Sequence, residues 1–175
     1  ERKKLDLEIT EQALAQLKDI DQSKTFTTIV YNPDWNKGVI GIVASRLVDM
    51  YYKPTFVFTK NKEGELVASA RSIQEYDMYA AIEQNAELLT QFGGHMAAAG
   101  VALKEENFQA FKDAFEKTVR EDSQSIHFSP ILEIDKELSF NDVTKSFLET
   151  VMRIAPFGPE NMTPVFLSKN LIATD

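Results

Sequence analysis

The sequence predicts an α/β protein, a layered sheet with flanking helices, followed by a shorter β-rich segment. Two observations carry that expectation. Stretches with apolar residues at helical spacing alternate with short β-branched and aromatic runs through the first 120 residues. From Arg120 to Ser129 the chain then turns polar and loses its period, which marks a boundary between folding units.

The elements follow in order. Residues 11–20 read as a helix capped by Thr10, with Leu14 and Leu17 at helical spacing and Ile20 following. Phe26 to Tyr31 is β-branched and aromatic, hence a strand, and Asn32-Pro33-Asp34 is a turn. Val39 to Tyr52 spreads Val39, Ile40, Ile42, Val43, Leu47 and Val48 around a buried helix that Pro54 stops. Thr55 to Thr59 and Leu66 to Arg71 are strands on either side of an Asn61 to Gly64 turn. Asp77 is placed to cap a helix running to Phe92, with Met78, Ile82, Leu89 and Phe92 inward and Gly93-Gly94 ending it. Ala97 to Leu103 is a strand of small residues, and Phe108, Phe111, Phe115 and Val119 make the stripe of a further helix. Past the boundary, Ile131 to Phe140 alternates like a strand, and Asn141 is expected to cap a helix carrying Val143, Phe147, Val151 and Ile154. Pro156 to Pro164 is a Pro/Gly/Asn-rich structured loop, and Val165 to Ile172 is strand-like. No internal repeat is visible.

At 175 residues, 43% hydrophobic and 26% charged, the chain has the composition of one soluble globular domain and part of a second. No apolar run comes near the ~18 residues a membrane helix needs. No signal peptide is visible, although Glu1 is not a start residue. The absence of cysteine rules out disulfides and thiolate metal sites and is compatible with the expected setting, the cytoplasm. The net charge of −8 argues against a broad nucleic-acid-binding surface. Its distribution is uneven: residues 36–80 hold six Lys/Arg and five Asp/Glu, whereas residues 81–175 hold eight and fifteen. An anion site should therefore be local and built from a few residues.

Three segments look chosen for chemistry. In Gly93-Gly94-His95 the glycines permit positive φ and close approach of backbone N–H groups to a ligand, and the histidine can donate to a phosphate oxygen. The plain alternative is a helix C-cap beside a solvated histidine. In Ser69-Ala70-Arg71-Ser72 an arginine between hydroxyls suits a bidentate grip on phosphate; the alternative is an ion pair with Glu75 or Asp77. In Trp35-Asn36-Lys37-Gly38-Val39-Ile40-Gly41 a turn feeds a helix N-terminus that favours an anion, Lys37 adds charge, and Trp35 is a stacking surface; the alternative is an aromatic plug over the core, with Gly41 allowing tight helix packing. Arg46, on the apolar helix, needs a partner and is read first as a structural ion pair, with a place lining the groove as the alternative. His127 is read as solvated. No metal site is expected: the histidines are His95 and His127 only, and no His/Asp/Glu cluster has ligand spacing. Nor is there a nucleophile elbow.

Taken together, Trp35…Gly38-Val-Ile-Gly-Ile-Val-Ala-Ser-Arg-Leu47, Ser69-Ala-Arg-Ser72 and Gly93-Gly-His-Met-Ala-Ala-Ala-Gly100 occur in the order and approximate spacing of RecJ proteins. They resemble the DHH-associated domain, the second lobe of the DHH phosphoesterase family. Ala155-Pro-Phe-Gly-Pro-Glu-Asn161 through Pro164-Val-Phe166 is similar to the entry of the OB-fold domain that follows in RecJ. The resemblance implies the end of an interdomain linker helix over 1–22, a DHH-associated substrate-binding domain over 23–122, and the truncated start of an OB-like domain over 130–175.

The resemblance also implies function. RecJ-like enzymes hydrolyse single-stranded DNA from the 5′ end in repair and recombination, with Mn²⁺ or Mg²⁺ held by a first lobe whose Asp-His-His motif is not in this sequence. Gly93, Gly94, His95 and Arg71 would then face the substrate backbone, with Ser69, Ser72, Trp35, Asn36 and Lys37 around them, and His95 would position the phosphate. Single-stranded DNA is the implied partner, with replication or repair proteins unidentified and no membrane involved. Two departures stand out. Asn36 occupies the place where RecJ proteins commonly carry His, and it cannot take up a proton. The OB-like region stops after about two strand-like segments where a full barrel has five. The alternatives are a DHH-family oligoribonuclease or nucleotide phosphatase lobe, and a non-catalytic nucleic-acid-binding module.

Overall fold

The computed structural model describes residues 2–123 and 129–172 and divides the chain into two compact units, Glu1–Ser129 and Pro130–Asp175. The first unit is the expected layered α/β fold. Its elements are α1 (Arg2–Leu17), β1 (Thr28–Tyr31), α2 (Ile40–Tyr51), β2 (Thr55–Lys60), β3 (Leu66–Arg71), α3 (Met78–Glu83), β4 (Gln91–His95), β5 (Ala98–Leu103) and α4 (Phe108–Asp122). The five strands lie in the order β1-β2-β3-β5-β4, with β1 parallel to β2 and every other pair antiparallel. The parallel pair needs a crossover, and α2 supplies it.

Strand alternation splits the apolar residues between two cores. On one face Val30 and Val57 meet α2 through Ile40, Val43, Ala44 and Leu47, and α1 through Ile9, Ala13 and Leu17. On the other face Phe56, Phe58, Ala68, Ala70 and Val101 meet α3 and α4, where Phe111, Phe115 and Val119 are fully buried. Phe56 stands edge-on to Phe111 and Phe115, with centroids 5.4 and 4.8 Å away. The free edge of β1 is closed by side chains. Gln16 exchanges hydrogen bonds with the main chain of Tyr31, and the Glu116 carboxylate accepts from the amides of Phe26 and Thr27.

Several sequence expectations shift. α1 begins eight residues ahead of the expected cap; Thr10 lies inside it and its hydroxyl donates to the Asp6 carbonyl at 2.8 Å. The charged start of α1 hides a stripe at spacing four, Leu5, Ile9, Ala13 and Leu17, that α2 and the sheet require. The expected helix from Asp77 to Phe92 lasts only to Glu83. Asp77 does cap it, accepting from the Ala80 amide, but the Asn85 side chain donates back to the Ala81 carbonyl and to Thr118. A 3₁₀ turn over Ala86–Leu88 follows, and Gln91–His95 pairs with β5 as a strand. Phe92 still packs on the aromatic core, now from a strand.

The second unit holds β6 (Lys136–Glu137), α5 (Lys145–Met152) and β7 (Phe166–Leu167), and none of its described residues is buried. The strands expected over 131–140 and 165–172 shrink to two residues each, paired in parallel. Ile131, Leu132 and Ile134 are exposed, so their alternation has no surface to serve. Thr144, rather than Asn141, caps α5 by accepting from the Phe147 amide. In the loop, the Asn161 amide group donates to the carbonyls of Ile154 and Pro156. His127 lies outside the described residues.

Because Phe56 joins both aromatic layers of the larger core, Phe56→Ala should destabilise the first unit by about 3–5 kcal/mol, read from the midpoint of urea unfolding.

Candidate nucleic-acid interface

The face of the sheet that carries α2 is covered over only part of its width. Register puts Thr55, Arg71, Ala98 and His95 in one cross-strand row on that face, and Val57, Ser69, Gly100 and Gly93 in the next. α2 packs over β2 and β3. Beyond β3, the row of Gly100 and Gly93 is exposed main chain without side chains. The result is a shelf with a glycine floor, bounded by α2 on one side and open at β4 on the other. Two adjoining cavities lie along it. One, of about 390 Å³, lies between α2 and β3 and is lined by Lys37, Gly41, Ser45, Ser69 and Arg71. The second, of about 310 Å³, lies over Val67, Gly93, Gly100 and Gln91. Lys37 lines both.

Arg71 sits at the end of β3, half-buried, and its Nη1 donates to the carbonyl of Ala70 at 2.8 Å. Among the described residues it has no carboxylate partner. The two acids considered for it are occupied: Glu75 accepts from the Tyr52 hydroxyl at 2.9 Å, and Asp77 caps α3. The loop after Arg71 is braced from several sides. The Ser72 amide donates to the Ala97 carbonyl, the Ser72 hydroxyl donates to the Tyr76 carbonyl, and the Tyr76 hydroxyl donates to Asp122 at 2.8 Å. Burial, helped by Asp122, pushes the Tyr76 hydroxyl far above the ordinary phenol range, so that brace stays protonated. Ser72 is therefore spent on the loop, while the Ser69 hydroxyl faces the cavity without a partner among the described residues.

Gly93, Gly94 and His95 form a strand and not a helix cap, and the two glycines serve different ends. Gly94 has φ +147°, and a Cβ there would lie 2.4 Å from the Ala98 carbonyl oxygen and 2.5 Å from Ala99 Cα. It is required by backbone packing in the hairpin. A Cβ on Gly93 would meet nothing within 4 Å, and would simply stand up from the shelf floor. His95 is exposed at the shelf end; its Nδ1 accepts from the Ala97 amide at 3.3 Å, which leaves the Nε2 side to donate outward. Ordinary strand spacing puts Arg71 and His95, two strands apart, roughly 10 Å from each other.

The turn before α2 is shaped for the same cavity. Asn36 Oδ1 accepts from the Gly38 amide at 2.8 Å, leaving its exposed NH₂ available to a ligand. α2 starts with no side-chain cap, and backbone takes its first amides: those of Val39 and Ile40 donate to the Asn36 carbonyl and those of Ile42 and Val43 to the Val39 carbonyl. Trp35 is different. It is 5% exposed, its indole N–H donates to Gln12 at 2.7 Å, and its carbonyl accepts from Thr59. Its burial fits the plug, and the stacking role considered for it has no exposed ring face. Arg46 pairs with the buried Asp6 at 2.7 Å and so ties α2 to α1, away from the ligand groups. Gln91 was not singled out by sequence, because it shares the face of Gly93 only once 91–95 is a strand; Gly100, which closes the small-residue motif, is set opposite Gly93 by register. Among the described residues no three His, Cys, Asp or Glu side chains come together to hold a metal ion; the resemblance puts the divalent-metal ligands in the first lobe.

Among the described residues, this face of the sheet offers cations, hydroxyls and bare main chain along one strip. Residues 8–121 match the DHHA1 domain and residues 134–175 match the RecJ OB domain. The chain belongs to the DHHA1 domain family. Among curated proteins it is similar to the single-stranded-DNA-specific exonuclease RecJ of Haemophilus influenzae, 35% identical over 78% of the chain and 24% of that protein. The RecJ of Bacillus subtilis is 31% identical over 100% of the chain and 22% of that protein. The chain thus spans about a quarter of the length of these relatives. The fold matches RecJ from Thermus thermophilus in complex with Mn²⁺, with a TM-score of 0.80 at 24% identity, over 95% of this chain and 24% of that one.

The two glycines should separate in experiment. Gly94→Ala is expected to lower the thermal midpoint by several degrees, since main chain must move. Gly93→Ala should leave the midpoint within about a degree and weaken oligonucleotide binding, measured by fluorescence anisotropy.

Proposed function

We propose that this chain is the substrate-binding half of a metal-dependent, single-stranded-DNA-specific exonuclease. The observation that carries the reading is Arg71: a half-buried guanidinium without a carboxylate partner among the described residues, facing an open shelf in a chain of net charge −8. An arginine so placed is stabilised by an external anion, and its fork matches two phosphate oxygens. Lys37 adds charge beside it, Ser69 and Asn36 offer further donors, and His95 stands across the shelf to orient a second point on the strand. Glycine main chain between them gives a sugar–phosphate backbone a flat path.

In this reading the shelf orients the phosphodiester, and hydrolysis needs Mn²⁺ or Mg²⁺ held by residues outside this chain. The support is the similarity to RecJ exonucleases along the whole chain. The 5′-to-3′ direction, a role in DNA repair and recombination, and a cytoplasmic setting come with that resemblance. The match of residues 134–175 to the RecJ OB domain favours it over smaller phosphoesterases that act on short RNA or nucleotides.

The test is binding of the full chain to a fluorescent oligothymidylate. Arg71→Ala should weaken it by about ten- to a hundredfold, the worth of charge-assisted hydrogen bonds to phosphate, and His95→Ala by less. Lys117→Ala, on exposed α4, should change it less than about twofold. Equal effects at Arg71 and Lys117 would remove the basis for the proposal. With few phosphates contacted, affinity should fall only shallowly with salt, with a log–log slope of about −0.7 per phosphate. A steep slope would reveal a basic track elsewhere.

A further inference from the structure

We propose that Gly41 is a positioning residue for Arg71: the space left by its missing side chain seats the guanidinium against α2. The inference rests on the reading of Arg71 as a phosphate ligand. Gly41 is the second residue of α2 and faces β3 across the cavity. A Cβ built on it would lie 3.0 Å from Arg71 Nη2, 3.7 Å from Arg71 Cζ and 3.4 Å from Ser69 Oγ. The nearest atoms are thus the two ligand-facing side chains of β3, and none is main chain. The other terminal nitrogen of Arg71 donates to the Ala70 carbonyl. The guanidinium is therefore held between a carbonyl at one corner and bare helix backbone at the other, and its remaining N–H groups are left for a ligand.

A glycine in a helix has a cost relative to alanine, because it gives up more backbone freedom on folding. No positive φ requires glycine at 41. Space is what it provides, and the space is filled by Arg71. A methyl group there would push on the far end of a flexible side chain, which yields without disturbing the helix or the sheet. The change should then register in the orientation of Arg71 and in ligand binding, and not in stability.

Two measurements on the full chain test this. The first needs no ligand: in Gly41→Ala the Nε–Hε resonance of Arg71 should shift in a ¹H–¹⁵N spectrum, while the thermal midpoint stays unchanged or rises. An unmoved resonance, or a chain that melts well below the parent, overturns the proposal, since in the latter case backbone would have given way in place of the arginine. The second uses a short 5′-phosphorylated oligothymidylate as probe. Gly41→Ala should weaken its binding on the order of tenfold, and by less than about twofold in an Arg71→Ala background, as coupling through one group requires. The same loss in both backgrounds overturns the proposal. If Arg71→Ala alone leaves binding intact, the phosphate role of Arg71 fails, and the resonance shift still decides whether Gly41 positions it.

Discussion

A helix of α2's length is about 18 Å long and, with its side chains, about 10 Å across. Strands repeat at about 4.8 Å, so one such helix shields two to three of them. α2 is centred over β2 and β3, and no helix of the described residues follows it onto β5 and β4 on that face. The uncovered strip must then be tolerable in water, and it is built from Gly93, Gly100 and Ala98, which have little apolar surface to hide. The opposite face has no such gap, because α3 and α4 close it with Phe111, Phe115 and Ile82. The candidate interface is a consequence of this one-sided coverage. Its walls are the flank of α2 and the end of β3, and its floor is main chain.

Electrostatics then gives the strip a sign. Most acidic side chains lie away from it or are engaged. Glu116 holds the β1 edge, Glu75 takes the Tyr52 hydroxyl, Asp77 caps α3, and Asp6 neutralises Arg46. What remains on the shelf is Arg71 and Lys37, with hydroxyl and amide donors beside them. The protein can therefore be acidic as a whole and still attract an anion at one place. Under the proposed function, a surface of this kind reads the backbone of a strand by a few directed bonds and without a broad basic field, and it orients a phosphodiester for chemistry supplied by another lobe.

The brace behind Arg71 shows how the fold keeps such a group in place. Ser72, Tyr76 and Asp122 link the end of β3 to the β4–β5 hairpin and to the last turn of α4. The same loop releases Glu75 and Asp77 from Arg71 by giving them other work. A lone arginine held only by its own flexibility would lose more entropy on meeting a ligand; one seated between the Ala70 carbonyl and Gly41 has less to lose.

Local pattern was enough for much of this. Period and turn chemistry alone identify α2, the β2–β3 hairpin, β5 and the phenylalanine stripe of α4, because each carries its own boundary signals and a single unambiguous period. Motif order alone brings Arg71, Gly93 and His95 into one family pattern. Where neighbours compete for a segment, the local signal fails. Residues 84–92 have helical spacing, yet the open edge of β5 takes 91–95 as a strand and Asn85 ends the helix. Leu5 and Ile9 lie ahead of the cap expected at Thr10, yet α2 and the sheet give them a face to cover. Ile131 to Phe140 alternates as a strand should, and finds no neighbour among the described residues that would bury it. The difference between Gly93 and Gly94, the burial of Trp35 and the seat that Gly41 makes for Arg71 all depend on which strand or helix lies opposite. That is set by register and packing across the sheet, and residues far apart in the chain carry no local mark of it.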